Sequence, residues 1–129
     1  MANEKCRNVL GPGTHATTFG GNPICCAGGL SVLEQLDEQL LADVKKKGAY
    51  LKEKISAMPG VKEVRGMGLR LGVSLADEAG YSAKVSAMLD KGLLCLTAGH
   101  STIRLLPPLV ISQEEMDRGL AIMADVLGA

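Results

Sequence analysis

The sequence predicts an α+β fold: a small, mainly antiparallel sheet covered by helices on one face, preceded by a loop and connecting helices. Three observations predict it. Apolar residues recur every three or four positions over Leu41 to Met58 and again over Met116 to Leu127, the period of amphipathic helices. Between those segments they alternate instead, in short runs bounded by glycine and proline, the period of strands. Finally, hydrophobic residues make up 47% of the 129 positions but aromatic ones only 2%, so the core is aliphatic and of single-domain size.

Asn22 followed by Pro23 reads as a helix start, because the asparagine side chain can accept a backbone N–H and proline loses nothing at the first helical position. A helix is expected through about Leu36, burying Ala27, Leu30, Leu33 and Leu36 as one stripe. Gly28 and Gly29 weaken it, so close packing against another element is expected to compensate. A second helix carries the stripe Leu41, Val44, Gly48, Leu51, Ile55 and Met58, with Lys45, Lys46 and Lys47 on a solvated face, and ends at Pro59-Gly60. Strands follow at Val61 to Val64 and Leu69 to Leu75 around the turn Arg65-Gly66-Met67-Gly68. In the second, Leu69, Leu71, Val73 and Leu75 share one face and Arg70, Gly72 and Ser74 the other. A shorter helix is expected from Ser82 to Lys91, with Gly92 just past its end. Two more strands, Leu93 to Thr97 and Ser101 to Leu106, stop at Pro107-Pro108. Ser112 and Glu115 have capping-box spacing ahead of a final helix with the stripe Met116, Leu120, Met123 and Leu127.

Fourteen basic and fourteen acidic residues cancel, which argues against nucleic acid or an anionic membrane as a partner. No apolar run approaches a membrane span and no signal-peptide pattern opens the sequence, so the expected compartment is the cytoplasm. Cys6, Cys25, Cys26 and Cys95 have no metal-ligand or disulfide-framework spacing; reduced, mostly buried thiols are expected, and no metal site.

The loop Gly13-Thr-His-Ala-Thr-Thr-Phe-Gly-Gly-Asn-Pro23 admits three readings. As a dinucleotide fingerprint, Gly11 to Ala16 fit G-x-G-x-x-A, but that motif runs directly into a helix and here the helix waits until Pro23. As a phosphate site, the hydroxyls of Thr17 and Thr18 and the amides around Gly20 and Gly21 lie next to a helix N-terminus, where anions are favoured. As a plain surface loop it would simply precede a capped helix. Spacing alone leaves the last two open.

The segment His15-Ala-Thr-Thr-Phe-Gly-Gly-Asn-Pro23 resembles the H-x-[ST]-T-[FY]-G-G-N-P motif of class III pyridoxal-phosphate aminotransferases, and among these is most similar to the acetylornithine aminotransferases. The resemblance continues through VRGMGLRLGVSL (Val64 to Leu75) and STIRLLPPLVIS (Ser101 to Ser112), in the family's order. It implies that the chain is the C-terminal portion of such an enzyme. Residues 1–36 would be the end of the large domain, with the phosphate loop and first connecting helix; residues 37–129 would be the next connecting helix and the small domain. Pyridoxal 5'-phosphate is the implied cofactor, bound weakly or not at all by this chain alone. Thr18, with Thr17 beside it, would hold the cofactor phosphate of a neighbouring subunit, which makes a homodimer or larger assembly the implied state. Connecting helices with uncovered apolar faces favour the same self-association.

Arg104 shares a strand face with Thr102 and Leu106. An arginine fork can clamp a carboxylate bidentately, and the resemblance assigns Arg104 to substrate carboxylate binding. Arg65 fits the family's R-G-x-G turn, with a structural role. Arg70 stands where many relatives carry an apolar residue, and no function is attached to it. His15 is expected to shape the loop and His100 to sit in a surface turn.

In the family, the Schiff-base lysine, the acidic partner of the pyridine nitrogen and the group against the ring lie upstream of the TTFGGNP motif. The single lysine ahead of that motif is Lys5, and none of the nine lysines is a credible candidate. The resemblance therefore implies a fragment that is not catalytic by itself. The implied parent reaction takes N-acetylornithine and 2-oxoglutarate to N-acetylglutamate semialdehyde and glutamate, in arginine biosynthesis. Ornithine, 4-aminobutyrate or another ω-amino donor is the nearest alternative. A stand-alone binding or dimerisation module without catalysis is the alternative of a different class.

Overall fold

A computed structural model describes residues 4–6, 9, 11 and 13–128. The chain divides into two compact units, Met1–Leu36 and Asp37–Ala129. Among the described residues no helix is long and apolar enough to cross a membrane.

The first unit holds a 3-10 turn at Glu4–Cys6, the glycine-rich loop and helix α1, Pro23–Gln35. Asn22 caps α1 as expected: its Oδ1 accepts the N–H of Ile24 at 2.9 Å and that of Cys25 at 3.3 Å. The expected burial does not occur. No residue of α1 is buried, Leu30 and Leu33 are more than 60% exposed, and a Cβ built on Gly28 or Gly29 would meet nothing within 4 Å. The helix forms by its cap, and its apolar stripe has no covering element in this unit. Cys25 and Cys26 are exposed for the same reason, which corrects the expectation of buried thiols there. Cys95 is buried, while the side chain of Cys6 lies outside the described residues.

In the second unit Asp37 caps helix α2, Glu38–Ser56, by accepting the N–H of Leu40 at 2.7 Å. Gly48, Leu51 and Ile55 are buried, and Val44 and Met58 pack at the margin of the core. Strands β1, Val61–Met67, and β2, Arg70–Leu75, form a hairpin. The expectation ended β1 at Val64; instead Arg65, Gly66 and Met67 keep pairing with Gly72, Leu71 and Arg70, so only Gly68 and Leu69 make the reversal.

Helix α3, Tyr81–Asp90, ends in a Schellman motif. The N–H of Gly92 bonds to Leu89 O at 2.9 Å and that of Leu93 to Met88 O at 2.8 Å, and Gly92 takes the positive φ of 92° that the motif needs. This explains why strand β3 is only Leu96–Ala98 rather than Leu93 to Thr97: the amide of Leu93 is already spent on the helix end. Strand β4, Thr102–Leu105, is also shorter than expected, because Ser101 sits in the left-handed region at φ 52° and Pro107 follows close behind. Helix α4, Gln113–Leu127, carries the expected capping box, with Ser112 Oγ accepting the N–H of Glu115 and the Glu115 carboxylate accepting that of Ser112.

The sheet order is β1-β2-β4-β3, antiparallel throughout. Register gathers the aliphatic side chains on one face: Val64 opposes Val73, Val73 opposes Ile103, and Leu71 opposes Leu105. These residues form the core with Leu51 and Ile55 of α2, Met88 of α3, and Met116, Leu120 and Met123 of α4. Ile55, Val73, Met88 and Ile103 are completely excluded from solvent; burial of each such side chain contributes roughly 1.5–3 kcal/mol. Tyr50 Oη donates to the Asp117 carboxylate and ties α2 to α4 at the surface.

Candidate functional site

The same register that builds the core composes the opposite face of the sheet. Arg65 of β1 lies across from Gly72 of β2, and Gly72 lies across from Arg104 of β4. Two arginines therefore flank one residue without a side chain. Arg70 stands two positions along β2 from Gly72 on the same face. Arg65, Gly66, Arg70, Gly72, Ala98 and Arg104 are among the residues that line a shallow hollow of about 240 Å³.

Polar bonds fix one end of this face. Thr102 Oγ1 donates to the carbonyl of His100 at 3.1 Å, so its lone pairs remain to accept. Ser74 Oγ lies 3.3 Å away, and the Arg65 guanidinium makes a long contact of 3.5 Å. Arg65 is also 4.0 Å from Glu63. The side chains of Arg70 and Arg104 are exposed and, among the described residues, have no carboxylate or hydrogen-bond partner. Three guanidinium groups share one hollow with, among the described residues, a single paired carboxylate, that of Glu63, a surface complementary to an anion.

In the first unit, Thr17 and Thr18 are exposed at the head of the turn that runs to Gly21. A Cβ on Gly20 would lie 2.1 Å from the methyl of Thr17, and Gly21 adopts φ 73°, so both glycines shape the loop. The amides at the start of α1 are not available, since Asn22 Oδ1 already takes those of Ile24 and Cys25 and Pro23 has none. What remains for a ligand is the two threonine hydroxyls and the loop amides from Thr17 to Gly21, none of which has a partner among the described residues. That donor set, hydroxyls and N–H groups with no acidic side chain among residues 13–23, fits a phosphate group.

His15 and His100 are exposed. Among the described residues no group of three or more His, Cys, Asp or Glu is placed to hold a metal. Sequence reasoning placed Arg104 on the polar face but gave Arg70 no function. The signal was available in part: alternation puts Arg70 on the Gly72 face, and only the pairing of β2 with β4 brings that face beside Arg104.

The family model for "Aminotransferase class-III" matches residues 1–127. The chain is 38% identical over 131 residues to the acetylornithine aminotransferase of Lactococcus lactis subsp. lactis, covering 98% of this chain and 35% of that protein. Its fold is similar to the acetylornithine aminotransferase of Elizabethkingia anophelis, with a TM-score of 0.79 at 30% identity over 98% of this chain and 35% of that one. It is also similar to an ornithine aminotransferase of Toxoplasma gondii whose structure shows partial occupancy of PLP at the active site. There the TM-score is 0.75 at 32% identity, covering 92% of this chain and 30% of that one. The chain thus spans about a third of the length of the relatives it matches.

Proposed function

The chain belongs to the class III aminotransferases, and on that premise we propose that it is the C-terminal portion of a pyridoxal-phosphate enzyme that transfers the terminal amino group of N-acetylornithine to 2-oxoglutarate. The products are N-acetylglutamate semialdehyde and glutamate, which places the parent enzyme in arginine biosynthesis. Residues 1–36 complete the large domain with the phosphate loop and first connecting helix. Residues 37–129 supply the next connecting helix and the small domain.

The observation that carries this reading is the open guanidinium of Arg104 beside Gly72, exposed and without a protein partner among the described residues. A strand holds its backbone in register, and the glycine leaves room for a carboxylate to approach the fork. Arg104 binds and orients a substrate carboxylate. Thr18, assisted by Thr17, donates hydroxyl and amide hydrogens to the cofactor phosphate. When bound, pyridoxal phosphate supplies the electron sink that lets nitrogen move between donor and acceptor. The lysine that carries it is not supplied by this chain, whose nine lysines include only Lys5 ahead of the phosphate loop. The chain alone is therefore inactive.

The uncovered apolar stripe of α1 supports assembly as a homodimer or larger. The three free thiols among the described residues suit a cytoplasmic setting. Ornithine is the second donor to consider, favoured by the likeness to the Toxoplasma gondii enzyme.

The test is a chimera in which this chain replaces the matching segment of the Lactococcus lactis relative. A folded chimera is expected to form glutamate from N-acetylornithine and 2-oxoglutarate. Arg104→Lys should raise the KM for 2-oxoglutarate, and Thr18→Ala should raise the concentration of cofactor needed for half activity. A folded, cofactor-loaded chimera that transfers nitrogen from neither N-acetylornithine nor ornithine rules the reading out.

A further inference from the structure

We propose that Arg70 is a second carboxylate anchor, so that the hollow on the open sheet face selects a dicarboxylate: Arg104 holds one carboxylate and Arg70 the other. The inference rests on the reading of Arg104 above and extends it to a residue of this chain that the sequence left without a role.

Three observations carry it. Register places Arg70 and Arg104 as diagonal neighbours across β2 and β4, because Gly72 opposes Arg104 and Arg70 is two residues from Gly72. Such neighbours lie about 7–8 Å apart at the backbone, within reach of one another's long side chains. Both residues line the same hollow, whose floor between them is Gly72. A Cβ there would meet only the Thr102 methyl at 3.4 Å, so the backbone does not require a glycine for want of space. The missing side chain leaves the floor open to a ligand.

Charge supplies the third. Arg65 has Glu63 at 4.0 Å and Thr102 at 3.5 Å, so its fork is partly engaged. Arg70 and Arg104 have no such partners among the described residues. Two unpaired guanidinium groups held near each other repel, and a ligand with one carboxylate relieves only half of that charge. A flexible diacid of four or five carbons can present a carboxylate to each fork.

The experiment is binding to the 129-residue chain, followed by NMR of the arginine Nε–H signals, with glutarate, butyrate and sulfate as probes. Glutarate tests two-point binding, butyrate one-point binding, and sulfate is a compact dianion that controls for charge. The unmodified chain is expected to bind glutarate on the order of tenfold more tightly than butyrate. Arg70→Met should collapse that preference to about twofold or less while butyrate binding and the sulfate affinity change little. Arg104→Met should weaken both acids.

If Arg70→Met lowers glutarate and sulfate affinity equally, the effect is general charge and the second anchor is refuted. If it leaves the glutarate preference intact, the anchor is refuted while Arg104 keeps its role. If Arg104→Met changes nothing, the reading of Arg104 falls and the two-point site falls with it.

Discussion

Gly48 of α2 sits directly against Gly68 at the tip of the β1–β2 hairpin: a Cβ on Gly48 would lie 2.2 Å from the Gly68 carbonyl oxygen and 2.6 Å from its carbon. The obstacle is backbone, so no rotamer change can relieve it. Gly48→Ala must push the helix off the hairpin and is expected to cost about 1–3 kcal/mol. Gly28→Ala in α1 is the matched control, since nothing lies within 4 Å of that position; it should favour its helix by roughly 0.5–1 kcal/mol. Urea unfolding of the first and far-UV circular dichroism of the second check both signs. A Gly48→Ala chain of unchanged midpoint would mean that α2 does not rest on the hairpin.

The capping box of α4 gives the chain an acid-sensitive element. The Ser112 backbone N–H and hydroxyl both reach the Glu115 carboxylate at 2.8 Å and hold its pKa below the ordinary 4.5, with Lys47 adding to the shift. The folded state thus binds this proton more weakly than the unfolded one. Its contribution is complete above pH 4.5 and is lost as the pH falls through the folded pKa below it. Stability measured by urea unfolding should therefore fall on acidification from pH 5 toward 3, and Glu115→Gln should flatten part of that slope. An identical slope in the variant would remove the carboxylate from the account.

How much of this was legible beforehand follows from how local each signal is. Asn22, the Ser112–Glu115 pair and Gly92 act within a few residues of themselves, and the sequence places all three helix ends correctly. The aliphatic face of β2 is equally readable, because alternation needs no partner strand. What failed was non-local. The stripe of α1 was expected to be buried, but a stripe records only that something covers it, and no residue of this unit does. The start of β3 was misplaced because a helix end and a strand competed for the amide of Leu93. Arg70 was passed over because its company depends on the β2–β4 register, which no single segment encodes.

The cysteines are expected to separate by environment. Cys95 is 5% exposed, lies 3.8 Å from the Met88 sulfur, and has its pKa raised by burial, which disfavours the reactive thiolate. Cys25 and Cys26 are exposed on α1. Alkylation with iodoacetamide at pH 8, read by peptide mass spectrometry, should modify Cys25, which lies off the apolar stripe of α1, readily and Cys95 only after denaturant is added. Equal rates at Cys95 and Cys25 would show the core opening far more readily than its packing implies.

Across β2 and β4, Ser74 and Thr102 are paired in register, and both are buried. Since the Thr102 hydroxyl hydrogen goes to the His100 carbonyl, Ser74 must be the donor in the 3.3 Å contact between them. Thr102→Val keeps the shape but removes the acceptor, leaving a buried Ser74 hydroxyl unsatisfied, at a cost of about 1–3 kcal/mol. Ser74→Ala removes the donor instead and should cost less, because Thr102 keeps its bond to His100. The double variant leaves neither group stranded and should be more stable than the sum of the two single losses. A thermodynamic cycle from urea unfolding measures that difference. Strict additivity would mean that the two hydroxyls do not interact, and that Thr102 is held on this face by its bond to the turn alone.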